Sequence, residues 1–424
     1  METKLRRDLG LMDVFSLTSG AMISSGLFIL PGIAFSHAGP AVFLSYLIAG
    51  FIALPAALSA SEMVSAFPKT GGVYYYVSRG MGGASGAVAG FSRWLAITIN
   101  SSFALVGAGL YTAMIFDVPP MLVALLFGIF FIIVNMIGMK WGSRTEIIMV
   151  LWMLAALALY VIMGFFSVKR GLLTPLVPFG PIPVLQMAGF VFISYGGLIS
   201  TTSIAEEIKR PERTIPMGIF LSLMAVTALY TLAVLVTAGT VEPSILSKTV
   251  SPITDGAYVS MGLYGVAMMA VAAFLAFVTT ANSGVISASR YPVAMSRDHL
   301  LPGWLSVVNR RFRTPVPAII VTGMIMTGVM FFLNVEMLAS IASALLMITF
   351  ALTNLAVIFM RVRKVPGYNP KFRCPLFPLV QILGIILIGI LISGLGLLTV
   401  GFSLMIILGA LLWYLVSRRA GFGI

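Results

Sequence analysis

Long apolar runs separated by short polar segments dominate this chain of 424 residues. Twelve of these runs contain about 18 residues or more, the length that a helix needs to cross roughly 30 Å of hydrocarbon at about 1.5 Å per residue. We therefore predict an all-α membrane protein with twelve transmembrane helices. The predicted spans are 12–37, 40–66, 85–116, 121–139, 147–168, 184–206, 216–240, 257–288, 316–333, 336–360, 377–398 and 400–417.

Basic residues fall unequally on the two sets of segments that connect these spans. If Met1 is cytoplasmic, all but three of the 26 Lys and Arg residues lie on the cytoplasmic side, and the exceptions are Lys169, Arg170 and Lys248. Membrane proteins carry such an excess of basic residues in their cytoplasmic loops. We expect both termini in the cytoplasm, and the formal net charge of +13 then requires no nucleic acid partner.

Composition excludes several other classes of protein. The chain is 59% hydrophobic and only 9% charged, whereas soluble domains are about 25% charged, so a soluble enzyme and a disordered protein are excluded. One cysteine, Cys374, and two histidines, His37 and His299, are too few for a zinc or haem site. We expect no cofactor other than an ion, and no cluster of catalytic residues indicates a membrane enzyme.

The first and sixth spans are interrupted by small and polar residues near their middle. Residues 20–28 read GAMISSGLF, and residues 194–197 read SYGG. Such sequences favour local unwinding, which a membrane tolerates only where protein or water satisfies the freed backbone groups. Because the breaks lie five spans apart, they indicate an inverted-repeat transporter with a substrate site near the midplane. Close helix packing through small residues is the alternative explanation.

The eighth span contains hydroxyl side chains at a spacing that suits a small cation. Thr279 and Thr280 follow the carbonyl of Ala276 by one turn, and together these groups offer hard oxygen ligands. In membrane helices, however, a threonine more often bonds its own backbone one turn earlier. The residues alone leave both interpretations open.

Acidic and basic side chains are absent from the middle of the predicted spans, and Arg93 is the deepest candidate. Proton relays and pockets for cationic substrates usually contain a charged side chain within the membrane. A zwitterion suits a site of backbone dipoles better, because a half-helix N-terminus binds a carboxylate and freed carbonyls bind an ammonium group. We therefore expect a small-molecule substrate without net positive charge.

Four sequence motifs occur in an order that is typical of one transporter superfamily. They are residues 20–28 (GAMISSGLF), Glu62 followed by residues 67–76 (FPKTGGVYYY), residues 205–216 (AEEIKRPERTIP) and residues 289–302 (SRYPVAMSRDHLLP). With these motifs the chain resembles the amino acid-polyamine-organocation superfamily over essentially its whole length. Within that superfamily it is most similar to the archaeal and bacterial amino acid permeases.

The resemblance implies the leucine-transporter type fold. Spans one to five and six to ten would form two inverted repeats, in residues 1–170 and 171–365, and residues 366–424 would form two peripheral helices. It also implies a substrate site between the broken first and sixth spans, with Asn100 and Ser101 of the third span as lining candidates. The implied substrate-binding residues are Ala21, Met22, Ile23, Ser24, Ser25, Gly26, Ser194, Tyr195, Gly196 and Gly197.

The same resemblance assigns roles within this set. The backbone amides of Ser25 and Gly26, with Ser24, would bind the substrate carboxylate, and the carbonyls of residues 21–23, 194 and 195 would bind its ammonium group. Ser24 replaces a glycine of the family motif and adds a side chain where the backbone approaches the ligand. The fifth span lacks the lysine through which some relatives couple protons, and residues 198–199 lack the glutamate of many others.

A sodium site is also implied, because Gly20, Ile23, Ala276, Thr279 and Thr280 match the ligand positions of sodium-coupled relatives. We therefore expect a secondary active amino acid transporter that works by alternating access, is coupled to sodium and lies in the plasma membrane of a prokaryote. Proton coupling, exchange, and transport of a polyamine or another small organic solute remain alternatives. A channel or receptor is not indicated, since neither a continuous polar lining nor a signalling domain is evident.

Overall fold

Helices make up the regular structure of the protein. The computed structural model describes residues 9–67, 72–138 and 143–419, and at residues 143, 144, 203, 204, 206, 207 and 419 it describes the backbone alone. An isolated bridge between Leu9 and Ile208 is the one β pairing in these ranges. Residues 68–71 of the second sequence motif lie outside the described residues.

The α-helices follow one another in a simple chain order. They are α1 (Leu11–Met22), α2 (Ser25–Ala38), α3 (Val42–Ala66), α4 (Gly72–Met81), α5 (Gly83–Phe116), α6 (Pro120–Ile137), α7 (Ser143–Phe165), α8 (Pro181–Phe190), α9 (Pro211–Thr240), α10 (Pro243–Leu246), α11 (Pro252–Arg297), α12 (Val316–Phe332), α13 (Val335–Val362), α14 (Leu379–Ser393) and α15 (Leu397–Arg419). Short 3-10 segments lie between them at Gly39–Ala41, Arg170–Leu173, Val191–Tyr195, Ser200–Glu207 and Gly303–Ser306.

Helix occupies each of the twelve predicted spans. Within the described ranges, 9 helical stretches are long and apolar enough to cross a membrane, and one of them, Ser25–Ala66, covers parts of two predicted spans. Val316–Phe332 and Leu379–Ser393 are apolar but shorter. The structure thus confirms an all-α protein with many apolar helices, while the twelve crossings and the side of the termini stay predictions.

Three of the predicted spans differ from single straight helices. The first is divided into α1 and α2 at residues 23–24, and the sixth consists of α8 and two 3-10 segments. The eighth, predicted at 257–288, is the longer helix α11, which contains a non-helical residue at Gly262 with φ 62° and ψ −148°. A positive φ of this kind is readily adopted only by glycine, so Gly262 separates a short first part of α11 from the long helix that follows.

Small residues allow the central helices to pack closely around the broken spans. α5 packs along α11, and α3 packs along α9. A Cβ atom at Gly284 of α11 would overlap the Ser101 hydroxyl of α5, and one at Gly50 of α3 would overlap the Thr227 side chain of α9. Close backbone approach through glycine is the usual way in which membrane helices associate. The alternative explanation of small residues as packing surfaces therefore applies to these positions.

A buried ion pair connects α3 to α13. The Glu62 carboxylate is fully buried and accepts hydrogen bonds from the Arg361 guanidinium, from the Tyr368 hydroxyl at 2.6 Å and from the Cys374 backbone N–H at 2.7 Å. Burial and the adjacent carboxylate raise the pKa of the Tyr368 hydroxyl, so it remains a neutral donor. Burial likewise raises the pKa of the Cys374 thiol to about 11. Through these contacts, the motif residue Glu62 fixes the position of the segment between α13 and α14.

Candidate functional site

The first helix break creates a helix N-terminus, that of α2, within the first predicted span. Helix α1 ends at Met22 and α2 begins at Ser25, with the N-cap residue Ser24 extended at φ −121° and ψ −178°. The Ser24 hydroxyl accepts a hydrogen bond from the Gly26 N–H at 3.5 Å, as serine commonly does at this position. The first amides of a helix lack intrahelical acceptors and carry partial positive charge, so this N-terminus suits a carboxylate.

Two tyrosines already bond to carbonyls at this break. The Tyr230 hydroxyl donates to the Met22 carbonyl at 2.6 Å, and the Tyr46 hydroxyl donates to the Gly26 carbonyl at 3.1 Å. Tyr195 donates to the Tyr46 carbonyl at 2.7 Å, and the rings of Tyr195 and Tyr46 both pack edge-to-face on Tyr230. The Met22 carbonyl, predicted to bind an ammonium group, therefore keeps only its second lone pair free.

The second break is longer and is built from 3-10 turns. Helix α8 ends at Phe190, and the chain continues through the segment Val191–Tyr195 to Ser200–Glu207. Ser343 of α13 supports the start of this break, because its hydroxyl donates to the Phe190 carbonyl at 2.8 Å and accepts from the Ile193 N–H at 2.9 Å. Turn hydrogen bonds from Gly196 to Ile193 and from Leu198 to Tyr195 satisfy part of the remaining backbone.

The two breaks are in direct contact. A Cβ atom at Gly26 would overlap the Ser194 hydroxyl and come within 3.2 Å of the Ser194 Cα, and one at Gly197 would overlap the Ala21 carbonyl group. The structure therefore brings together the two predicted substrate segments, residues 21–26 and 194–197. That these residues bind a substrate stays a prediction.

Two hydroxyl groups at this contact have no hydrogen-bond partner among the described residues. They are the hydroxyls of Ser25 and Ser194, and both residues are fully buried. They are two of 15 such buried side-chain atoms in the described part of the chain, and each buried polar group without a partner costs roughly 1–3 kcal/mol. A polar ligand held between the breaks would satisfy both hydroxyls.

A cavity of about 220 Å³ reaches residues of both breaks. It is lined by residues of both broken spans and of α5, α7 and α11, including Gly20, Ala21, Gly196, Gly197, Asn100, Ser101, Glu146, Thr279 and Thr280. Arg93 and Arg290 also line it, and the predicted orientation of the spans would place both toward the cytoplasm. The buried residues Ser24, Ser25, Ser194 and Tyr195 lie beyond its lining.

The predicted sodium ligands differ in their exposure to the cavity. Gly20, Thr279 and Thr280 line the cavity, whereas Ile23 and Ala276 are fully buried. The Thr279 hydroxyl donates to the carbonyls of Leu275 at 2.8 Å and Ala276 at 3.1 Å, which is the backbone bonding typical of membrane helices. The buried Thr280 hydroxyl has no described partner, and as a hard oxygen ligand it fits a cation such as sodium. Sodium binding itself stays a prediction.

Two charged residues of the cavity were not predicted as site residues. Arg93 of α5 is only 3% exposed and donates to the Gly196 carbonyl at 3.0 Å, and Glu146 of α7 lines the same cavity. Arg93 lies well inside the predicted span 85–116, and a charge within a span is itself a signal of function. Val150, one turn beyond Glu146 in α7, packs against Gly20 of α1. At Gly20, α7 therefore contributes an apolar side chain.

Comparison with known proteins agrees with this architecture. A family model described as "Amino acid permease" matches residues 9–417. The methylthioribose transporter of Bacillus subtilis is 30% identical over 98% of the chain and 94% of the relative, and the branched-chain amino acid permease BcaP of the same organism is 29% identical over 99% and 94%. A vacuolar cationic amino acid transporter of Arabidopsis thaliana is 27% identical over 85% of the chain and 64% of the relative.

Apolar helices, two touching helix breaks and a cavity that reaches them define a multi-pass membrane transporter rather than an enzyme. The chain belongs to the amino acid permease family, within the amino acid-polyamine-organocation superfamily. The resemblance stated from the four motifs is thereby confirmed.

Proposed function

We propose that this protein transports an amino acid by alternating access and holds it between the two helix breaks. The observation that carries this proposal is the pair of buried hydroxyls of Ser25 and Ser194 beside the N-terminus of α2, which have no hydrogen-bond partner among the described residues. The N-terminal amides would bind the substrate carboxylate, and the hydroxyls with the free lone pairs of nearby carbonyls would bind its ammonium group.

Alternating access is supported by the position of the cavity relative to the breaks. The cavity is lined by Ala21 and Gly197 of the two breaks, whereas Ser25, Ser194 and Tyr195 are fully buried. We propose that this is an inward-open arrangement of two inverted repeats, residues 1–170 and 171–365, with residues 366–424 peripheral. Both termini would face the cytoplasm of a prokaryotic cell and the protein would lie in its plasma membrane, in accord with the excess of basic residues on that side.

The substrate that we propose is an amino acid without net positive charge. One relative, BcaP, is named a branched-chain amino acid permease. The Arabidopsis relative is named a cationic amino acid transporter. A second candidate substrate is a different small organic solute, because the relative with 30% identity is named a methylthioribose transporter. The uptake experiment below distinguishes these candidates.

Uptake into liposomes that contain the purified protein tests the proposal. Radiolabelled branched-chain, other neutral and cationic amino acids and methylthioribose would each be supplied with an inward sodium gradient, an inward proton gradient or no gradient. We expect uptake of a neutral amino acid that exceeds uptake by protein-free liposomes. Uptake of methylthioribose alone, by folded protein, would replace the amino acid with the second candidate.

Sodium is the coupling ion that we propose. It is supported by the Thr280 hydroxyl, which has no partner in the described part of the chain, and by the cavity that Gly20, Thr279 and Thr280 line. The double variant Thr279→Ala/Thr280→Ala removes two oxygen ligands and should raise the sodium concentration for half-maximal uptake at least about tenfold, equivalent to about 1.4 kcal/mol. Sodium titration of uptake measures this value.

Thr112→Ala is the matched control, because the Thr112 hydroxyl also bonds back to a carbonyl of its own helix, that of Ala108, but does not line the cavity. It should leave the sodium requirement unchanged. An unchanged requirement in the double variant as well, or uptake driven by protons alone, would refute the sodium site.

A further inference from the structure

Arg93 is a buried cation within an apolar helix. It lies in α5, inside the candidate membrane span Gly83–Phe116, and is 3% exposed. Removing a guanidinium from water is costly, and charged residues within membrane helices are rare and mark functional positions. Arginine also stays protonated throughout the physiological range. The position therefore holds a permanent positive charge that a structural role in an apolar helix does not require.

The contacts of Arg93 leave this charge without a carboxylate partner among the described side chains. One terminal nitrogen donates to the Gly196 carbonyl at 3.0 Å, and Nε has no partner there. The ion pairs of the described side chains join Glu62 to Arg361 and Glu212 to Lys371, so neither involves Arg93. A carbonyl oxygen carries only partial charge and does not neutralise a guanidinium.

The charge lies where a substrate would leave the helix breaks. Arg93 lines the cavity with Ala21, Gly197 and Asn100, and its hydrogen bond attaches it directly to the second break. The other charged side chains described in this lining are Glu146, whose opposite charge forms no ion pair with Arg93 among the described side chains, and Arg290, which is exposed. Because a buried charge is screened by salt much less than an exposed one, Arg93 contributes more to the potential at the breaks than Arg290 does.

We propose that Arg93 is a specificity-determining residue that disfavours substrates with net positive charge. This inference rests on the proposed function and sharpens its substrate class to amino acids with neutral or acidic side chains. A unit charge about 10 Å from another, at an effective dielectric constant of about 20, changes relative binding by roughly tenfold. The hydrogen bond to Gly196 has a separate effect, because it positions the second break for every substrate alike.

Arginine and citrulline are suitable probes, since they have nearly the same shape and differ by one positive charge. Each would be added as an unlabelled competitor of leucine uptake in liposomes. If the wild type does not take up leucine, the label is placed on the neutral amino acid that it takes up fastest. In the wild type, half-inhibition should need at least about tenfold more arginine than citrulline.

Variants at position 93 separate charge from positioning. Arg93→Gln should lower the arginine-to-citrulline ratio by roughly tenfold, whereas Arg93→Lys keeps the charge and should hold the ratio within about threefold of the wild type. Arg93→Met, which has a similar length and no charge, repeats the test if Arg93→Gln does not purify as folded protein. Arg310→Gln, in an exposed loop, is the matched control and should leave the ratio unchanged.

Different failures have different meanings. An unchanged ratio in Arg93→Gln or Arg93→Met, with slower uptake of all substrates, would overturn the inference and leave Arg93 as a support for the Gly196 backbone. A wild type that prefers arginine to citrulline would overturn it directly, while still transporting amino acids. A folded wild type that takes up no amino acid at all would instead refute the proposed function, and the inference with it.

Discussion

The two helix breaks differ in length and in the groups that satisfy their backbone. The first spans two residues, 23–24, between regular α-helices, whereas the second continues as 3-10 turns to Glu207. At the first break, Tyr230 and Tyr46 donate to carbonyls, while the hydroxyl and the carbonyl of Ser24 accept from the first amides of α2. At the second, Ser343 bonds one carbonyl and one amide, and Arg93 bonds the Gly196 carbonyl.

This difference shows that a broken membrane helix depends on side chains of neighbouring helices for hydrogen bonds to its backbone. At the first break the neighbouring tyrosines bond carbonyls, and the positive N-terminal end of α2 still suits a carboxylate. The second break includes the 3-10 segment Ser200–Glu207 of 8 residues, although such runs rarely exceed 3–4 residues and often mark a hinge. We infer that the first break is the more rigid of the two and the second is the more easily displaced.

The largest effect should come from separating the two breaks. Gly197→Ala places a methyl group on the Ala21 carbonyl, a backbone group that cannot move aside. We expect a loss of at least about 3 kcal/mol in stability and loss of uptake, measured by thermal unfolding of the purified protein and by liposome assay. Gly409→Ala in α15, where a Cβ meets nothing within 4 Å, is the control and should be neutral or stabilising. Normal uptake by Gly197→Ala would mean that the breaks need not touch.

A smaller effect should follow from the reciprocal change in the first break. Gly26→Ala meets mainly the Ser194 side chain, with the Ser194 Cα at 3.2 Å, so we expect a loss of about 2 kcal/mol. Because the obstacle is largely a side chain, adding Ser194→Gly should recover part of that stability. Thermal unfolding of both single variants and the double variant measures this coupling. Additive losses of stability would show that the new methyl group at position 26 is not in steric conflict with the Ser194 side chain.

Equal or smaller effects should distinguish the side chains that bond to the backbone of each break. Ser343→Ala leaves two backbone groups of the second break without partners and should cost about 2 kcal/mol, whereas Tyr230→Phe leaves one carbonyl and should cost about 1 kcal/mol. Thermal unfolding gives the order of stability, and hydrogen exchange of residues 190–196 should increase only in Ser343→Ala. Equal hydrogen exchange of residues 190–196 in the two variants would show that Ser343 and Tyr230 do not stabilise the two breaks separately.

The helices and the positions of both breaks could be predicted from the sequence because their signals are local. Apolar runs mark the helices, and the small residues at 23–26 and 194–197 mark the breaks. The length of the second break could not be predicted, since its 3-10 turns depend on contacts with other helices. Ser343, for example, lies 150 residues from its partner Ile193.

The charged groups were the least predictable part of the site. Arg93 was assigned to the cytoplasmic charges, yet it is buried against Gly196, which lies 103 residues away along the chain. Glu62 is known from the sequence only as part of a motif, whereas in the structure it is fully buried and pairs with Arg361. A sequence pattern shows that a charge lies near a span, but only the packing of distant helices decides whether it is solvated, paired or left facing a cavity.

The buried pair of Glu62 and Arg361 also sets an order of events during biosynthesis. The two residues are 299 positions apart, and at roughly 5 to 20 residues per second the ribosome makes Arg361 about 15 to 60 s after Glu62. Throughout that interval the carboxyl group has no arginine partner, because α13 has not yet been made. The contact that joins α3 to α13 can therefore form only late in synthesis, which makes the docking of α13 a late step in assembly of the helix bundle.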